Sequence, residues 1–379
     1  MSLRETLQRH VDAGALPGAV AVVDRGGDRE VVAVGAADVE GSRPMTADSL
    51  FRIASITKPI TAAAVLTLVD DGTLAFADPI ARWLPELADP RVVRTPSSPV
   101  DDVVPARRPI TVFDVLTGQA GWGFASDFTL PAVQALFPVQ GDGREVQSFP
   151  SPDVWLARLA EVPLAFQPGE AWLYDTCSTI QGVLAARASG RSLPELLEER
   201  IFAPLGMADT GFVVGPDRRD RFTTFYKKTA DGLVLADPPD GQWSTMPALP
   251  LGSGGLAGTA GDWVAFGRML LASGAAADGR RVLSPESVRA LTTDHTTAAQ
   301  REIGALFLEG QGWGMGGAVD VAAVEPWTVP GRYGWVGGTG TTAHIVPSTD
   351  TVAVLLTQVG ADSPVPPEWM RDFWREAAA

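Results

Sequence analysis

Phe51-Arg52-Ile53-Ala54-Ser55-Ile56-Thr57-Lys58-Pro59-Ile60-Thr61-Ala62-Ala63-Ala64-Val65-Leu66-Thr67-Leu68-Val69 is the stretch on which the reading turns. From Ile56 it is nearly all Ile, Ala, Val, Leu and Thr and it stops at Asp71-Gly72, the pattern of a helix buried on every side. Pro59 fits only in a first turn, where a helix leaves backbone N–H groups unbonded anyway, so the helix is expected to start close to Ser55. Residues i and i+3 share a helix face, which brings the Ser55 hydroxyl and the Lys58 ammonium within hydrogen-bond reach at the helix's positive end. The chain has three lysines, Lys58, Lys227 and Lys228, and only Lys58 follows a serine at this spacing. Ser-x-x-Lys is the spacing of Ser/Lys hydrolases, in which the lysine activates the serine. A serine N-cap with a lysine snorkelling past it would read the same. As an activator, Lys58 is expected to have its proton affinity lowered by apolar surroundings and helix-end charge.

On the N-terminal side, Leu3, Leu7 and Val11 recur at i+4 and stop at Gly14, a short amphipathic helix. Gly18 to Asp24 and Glu30 to Val34 are β-branched runs joined by Arg25-Gly26-Gly27-Asp28, a hairpin signal. On the C-terminal side, short helical patterns (80–87, 111–116, 152–159) alternate with Pro- and Ser-rich loops at 88–109 and 125–150. A helix from Asp175 to Arg187 follows, then the capping box Ser192-Leu193-Pro194-Glu195. Further helices are expected over 261–271 and from Ser284-Pro285. Strands return at Ala343 to Val346 and Thr351 to Gln358, and Glu368 to Ala377 closes the chain as a helix. The expected fold is α+β: an antiparallel sheet built from both chain ends, flanked by helices, with a large α-rich inserted domain. Residues 1–80 and 207–379 are assigned to the sheet domain and 81–206 to the insert, with the active site between them.

Composition narrows the function. The net charge of −15 argues against nucleic acid and anionic membrane as partners, since both require basic patches. A small ester or amide is the expected partner, and oligomeric state is left open. Cys177 alone allows no internal disulfide, the N-terminus lacks the apolar core of a signal peptide, and no apolar run reaches spanning length, so a cytoplasmic location is expected. Three scattered histidines and one cysteine offer no metal spacing. Gly312-Trp313-Gly314-Met315-Gly316-Gly317 and Gly338-Thr339-Gly340-Thr341-Thr342-Ala343 imitate a dinucleotide loop outside its strand–turn–helix setting. No cofactor or metal is expected.

A serine nucleophile needs a base. His10 lies on the opening helix, His344 alternates within a strand and His295 follows a helix, so that none is well placed by sequence, and the Gly-x-Ser-x-Gly elbow is absent. Tyr174 stands just before a helix in Trp172-Leu173-Tyr174-Asp175-Thr176 and could serve with Lys58 as the neighbouring cation; a half-buried core tyrosine would look the same.

Together these segments resemble the serine β-lactamase and penicillin-recognising hydrolases, in particular the branch with class C β-lactamases, D-aminopeptidases and carboxylesterases. The similarity includes Leu16-Pro17-Gly18, Phe51 to Lys58, Ile110 to Thr117, Pro168 to Tyr174, Gly254-Gly255-Leu256 and Gly334 to Thr341. The resemblance implies that Ser55 is acylated, that Lys58 shares its proton and that Tyr174 is the base. It implies an oxyanion hole from the N–H groups of Ser55 and Gly338, and substrate contacts from Trp335, Gly337 and Trp122. Two positions depart from the lactam-hydrolysing pattern. Thr176 replaces the usual Asn, and Trp335 replaces the cation that would attract a substrate carboxylate. The expected activity is therefore that of a carboxylesterase on small neutral esters. Alternatives are a β-lactamase, a D-aminopeptidase or D-amino-acid amidase, and a sensor that is acylated and never turns over.

Overall fold

A computed structural model describes residues 2–379. Strands β1 (Gly18–Arg25), β2 (Asp28–Gly35), β3 (Gly312–Trp313), β4 (Ala318–Val319), β5 (Tyr333–Gly337), β6 (Thr341–Val346) and β7 (Thr351–Thr357) form one antiparallel sheet in the order β2-β1-β7-β6-β5-β4-β3. Both ends of the chain meet in it, with Val20 opposite Leu356 and Ala343 opposite Val354. β1 is apolar from Gly18 to Val23 because helices cover both of its faces. Val20 and Val22 enter the main core, whereas Ala19, Ala21 and Val23 pack under the terminal helices.

Those terminal helices are α1 (Leu3–Asp12) and the C-terminal helix over Glu368–Ala378. They are tied together by Thr6 Oγ1, which donates to Glu376 Oε1 at 3.0 Å, and by His10 Nε2, 2.9 Å from Asp372 Oδ2. On the other face the helix over Ala260–Leu271 lies on β1, β6 and β7. Beneath it runs α2 (Lys58–Asp70), entered through a 3-10 turn over Ala54–Thr57 and buried on all sides up to Leu68. Pro59 occupies its first turn, as the sequence requires.

The segment 81–206 adds no strand to this sheet. Its longer helices are α3 (Pro131–Gln140), Pro152–Glu161 and α4 (Thr176–Ser189), and α4 packs against α2. The buried cluster therefore runs without a break from Val354 through Ile60 and Val65 to Leu184 and Trp155. Several local expectations need correction. The stretch 80–87 is two 3-10 turns, and the loop over 88–109 carries a small hairpin of Arg91–Val93 with Val103–Pro105. The loop over 125–150 contains α3, which includes Pro138 in its last turn, and a further hairpin pairs Phe225–Thr229 with Gly232–Asp237. Among the described residues no helix is long and apolar enough to cross a membrane.

The strand leading into Ser55, Phe51–Arg52, is anchored by a buried ion pair. Arg52 is 2% exposed; its Nε donates to Asp237 Oδ2 at 2.7 Å and its Nη1 to Thr223 O at 2.6 Å, with Phe222 beneath the guanidinium at 4.0 Å. Burial brings the guanidinium down to about 10 against the opposing pull of Asp237, so it stays charged. Asp237→Asn strands that charge and is expected to cost about 3–5 kcal/mol of unfolding free energy by urea titration at neutral pH. A loss within about 0.5 kcal/mol, the range of ordinary surface changes, would show the pair to be dispensable.

Candidate active site

Ser55 and Lys58 are brought together by the 3-10 turn rather than by α2 itself. The turn is entered through Ala54 at φ 45°, a left-handed conformation unusual for a residue with a Cβ. Lys58 Nζ donates to Ser55 Oγ at 2.9 Å and to Ser253 O at 2.6 Å, and lies 2.6 Å from Asp175 Oδ1. The carbonyl of Ser253 reaches it because Gly252 passes so close to Ser178 O and Thr61 that an added Cβ would sit 2.7 Å and 2.8 Å from them. The lysine is fully buried. Burial alone would strip its proton, but the Asp175 carboxylate, then Tyr174, reverse this and hold the ammonium above the ordinary lysine range. The expectation of lowered proton affinity is thus overturned, because a carboxylate faces the group from the turn before α4.

Tyr174 comes from that same turn. Its backbone pairs in both directions with Phe124, N to O at 2.9 Å and O to N at 3.0 Å, and its hydroxyl donates to Ser55 Oγ at 2.9 Å. Phe307 stacks on the ring at 4.7 Å. Trp335 on β5 donates its indole N–H to the Tyr174 oxygen at 3.1 Å and packs edge-on against Trp313. Only 3% of Trp335 is exposed, so it supports Tyr174 as well as edging the cleft.

Gly337 lies against the turn that carries Ser55: a Cβ there would be 2.7 Å from Ile53 O. The Thr339 and Thr341 hydroxyls donate to Arg52 O at 2.5 Å and Ile53 O at 2.9 Å, which fixes the β5–β6 turn relative to Ser55. Gly338, in that turn, and Ser55 line the same cavity, of about 370 Å³. Aromatic and aliphatic groups form most of its walls: Phe124, Phe128, Phe137 and Phe307 on one side, Val336 and the proline-rich loop 361–367 on the other. Its one lining cation, Arg144, is held by Asp142 at 2.9 Å.

The remaining expected residues lie elsewhere. Trp122 is a core residue, 2% exposed, whose indole N–H donates to Val162 O at 2.8 Å, and it does not line the cleft. Thr176 is fully buried on the first turn of α4, so no side chain reaches the cleft from the usual Asn position. The three histidines bond Asp372, Ala290 O and Thr342, all away from Ser55. Sequence reasoning missed Asp175, Gln140 and the phenylalanine wall. The available signal was that a buried lysine requires a counter-ion and that an aspartate directly follows Tyr174.

The chain matches the family described as Beta-lactamase over residues 3–373. Protein Rv1367c of Mycobacterium tuberculosis is 40% identical over 360 residues, which cover 92% of this chain and 87% of that protein. Esterase EstB of Burkholderia gladioli is 35% identical over 269 residues, 65% of this chain and 64% of its own. Among solved structures, EstCE1, described as a hydrolase with promiscuous acyltransferase activity, aligns over 100% of this chain and 97% of its own with a TM-score of 0.82. At 22% identity that likeness is one of fold. A shared fold over the whole chain, with a Ser-x-x-Lys pair seated at a cleft, leads to one assignment: the chain belongs to the beta-lactamase family of serine hydrolases.

Proposed function

We propose that this protein is a carboxylesterase that forms an acyl-enzyme at Ser55 and acts on small neutral esters. The observation that carries the reading is the chemistry of the cleft, whose walls are mainly apolar and whose one cation is already paired. A carboxylate-bearing lactam would be desolvated there without a partner, whereas a neutral ester would not. Trp335 in place of a cation, and the burial of Thr176, support the same preference. So do the names of the relatives, an esterase and a hydrolase with acyltransferase activity.

In this reading Tyr174 first gives up its hydroxyl proton to solvent, and Ser55 Oγ then attacks the ester carbonyl carbon as its proton passes to the phenolate oxygen of Tyr174, 2.9 Å away. The carbonyl oxygen becomes an oxyanion held by the N–H groups of Ser55 and Gly338. Collapse breaks the bond to the alcohol oxygen, which takes the proton from Tyr174 and leaves. Water then repeats the sequence on the acyl-enzyme and releases the acid. Lys58 stays an ammonium throughout and, with the Trp335 indole N–H, stabilises negative charge on the tyrosine oxygen.

Intact-mass spectrometry after treatment with a serine-reactive phosphonate should show one adduct that is lost in Ser55→Ala; an adduct on another serine would sink the assignment. Tyr174→Phe keeps the stacking on Phe307 and is expected to lower kcat by about 10² to 10⁴, the worth of a general base. Turnover unchanged in that variant would leave the tyrosine structural. Trp335→Phe removes an N–H while keeping an aromatic ring, and should lower kcat roughly 10- to 100-fold with little change in KM, the worth of a hydrogen bond to a charged group. In the wild type, kcat/KM for p-nitrophenyl butyrate should exceed that for a chromogenic cephalosporin. The reverse order would promote the lactamase reading, and a single burst without turnover the sensor reading.

A further inference from the structure

Asp175 stands at the N-cap of α4, where an aspartate ordinarily turns its carboxylate back onto the first free N–H groups of the helix. It makes no such bond. Its backbone lies at φ 80° and ψ −63°, and Thr176 N–H donates to Tyr174 O at 3.2 Å, a γ-turn of the rare, strained hand. The strained turn faces the carboxylate away from the helix, with Oδ1 2.6 Å from Lys58 Nζ and Oδ2 accepting from Gln140 Nε2 at 2.6 Å. A helix cap and a relaxed backbone are both given up, and the lysine gains a counter-ion.

We propose that Asp175 is a positioning residue that locks Lys58 as an ammonium and thereby moves the activation of Ser55 to alkaline pH. The inference rests on Ser55 being the nucleophile. Before the Ser55 proton has anywhere to go, the cluster of Ser55, Lys58 and Tyr174 must lose one proton. With Lys58 kept as an ammonium the loss falls to Tyr174, and a carboxylate that neutralises Nζ beside it opposes that loss. The other neighbours do little to offset this. Ser253 presents a carbonyl, and Trp335 does not titrate. Arg144 is tied to Asp142, and Asp362 lines the cleft without a contact to Lys58. The Cys177 thiol, on the first turn of α4, is pushed up to about 12 by burial and stays neutral.

The test is the pH dependence of p-nitrophenyl butyrate hydrolysis, read as kcat/KM. Asp175→Asn should move the ascending limb to lower pH by about one unit or more, and Asp175→Glu, which keeps the charge, should leave it within about half a unit of wild type. Asparagine accepts positive φ as readily as aspartate, so a shifted limb would not report relieved strain. A folded Asp175→Asn enzyme whose limb is unmoved, or displaced upward, overturns the proposal. Should that variant fail to fold, the wild type decides through the rate of Ser55 phosphonylation against pH. A midpoint above about pH 8 is expected, between the unperturbed histidine and tyrosine ranges, and one below it overturns the assignment. No adduct at Ser55 at any pH would instead remove the acyl-enzyme reading and leave the Lys58–Asp175 pair a structural one.

Discussion

The arrangement of this molecule depends on keeping one ammonium charged in a place with no water. A buried, unpaired lysine would release its proton. Here three separate stretches of chain converge to prevent that: the nucleophile turn through Ser55, the 251–255 loop through Ser253 O, and the turn before α4 through Asp175. Each convergence has a visible backbone cost. Ala54 and Asp175 sit at positive φ, and Gly252 must be a glycine for the loop to approach α2 and α4. Ala54 and Asp175, two of the non-glycine residues at positive φ, both line the cleft.

Aromatic packing supplies the rigidity that this cluster needs. Tyr174 is held between Phe307 and Trp335, and Trp335 is held in turn by Trp313. Tryptophan therefore does two things where relatives of the lactam-hydrolysing kind place a cation. It presents an apolar edge to the cleft, and it directs an N–H at the oxygen of the tyrosine. The second role could not be seen in the sequence, because it depends on register: Trp335 pairs with Ala343 in the sheet, and that pairing sets which way the indole points.

Much of the fold was legible because it is written in short-range pattern. The apolar run of α2, the hairpin around Gly26-Gly27, the Ser192 to Glu195 capping box and the final hairpin all announce themselves within a dozen residues. What escaped did so for identifiable reasons. Pro138 disguised α3 as a loop, and the two-residue strands β3 and β4 are too short to carry a period. The resemblance implied a place at the cleft for Trp122, yet its indole partner is a main-chain carbonyl, which leaves no mark in a sequence. The letters Tyr-Asp-Thr supply a counter-ion for Lys58, but the backbone angle that aims the Asp175 carboxylate at it is not written in them.

The sheet also fixes the order in which the chain can finish folding. β1 and β2 are made first as the chain emerges, but the partner of β1 on its other side is β7, so that Ala19 waits for Thr357. Until β7 and the C-terminal helix arrive, β1, apolar from Gly18 to Val23, has one edge unpaired and one face covered only in part, by α1. An exposed edge of that kind is a template for pairing with other chains. Synthesis at about 5–20 residues per second leaves it open for tens of seconds. Completion must also close a loop of nearly the full chain length, the topology that makes folding slow. The uneven stretch of life for this protein is thus its own birth, where a holding chaperone or a low synthesis temperature would matter more than the stability of the finished fold.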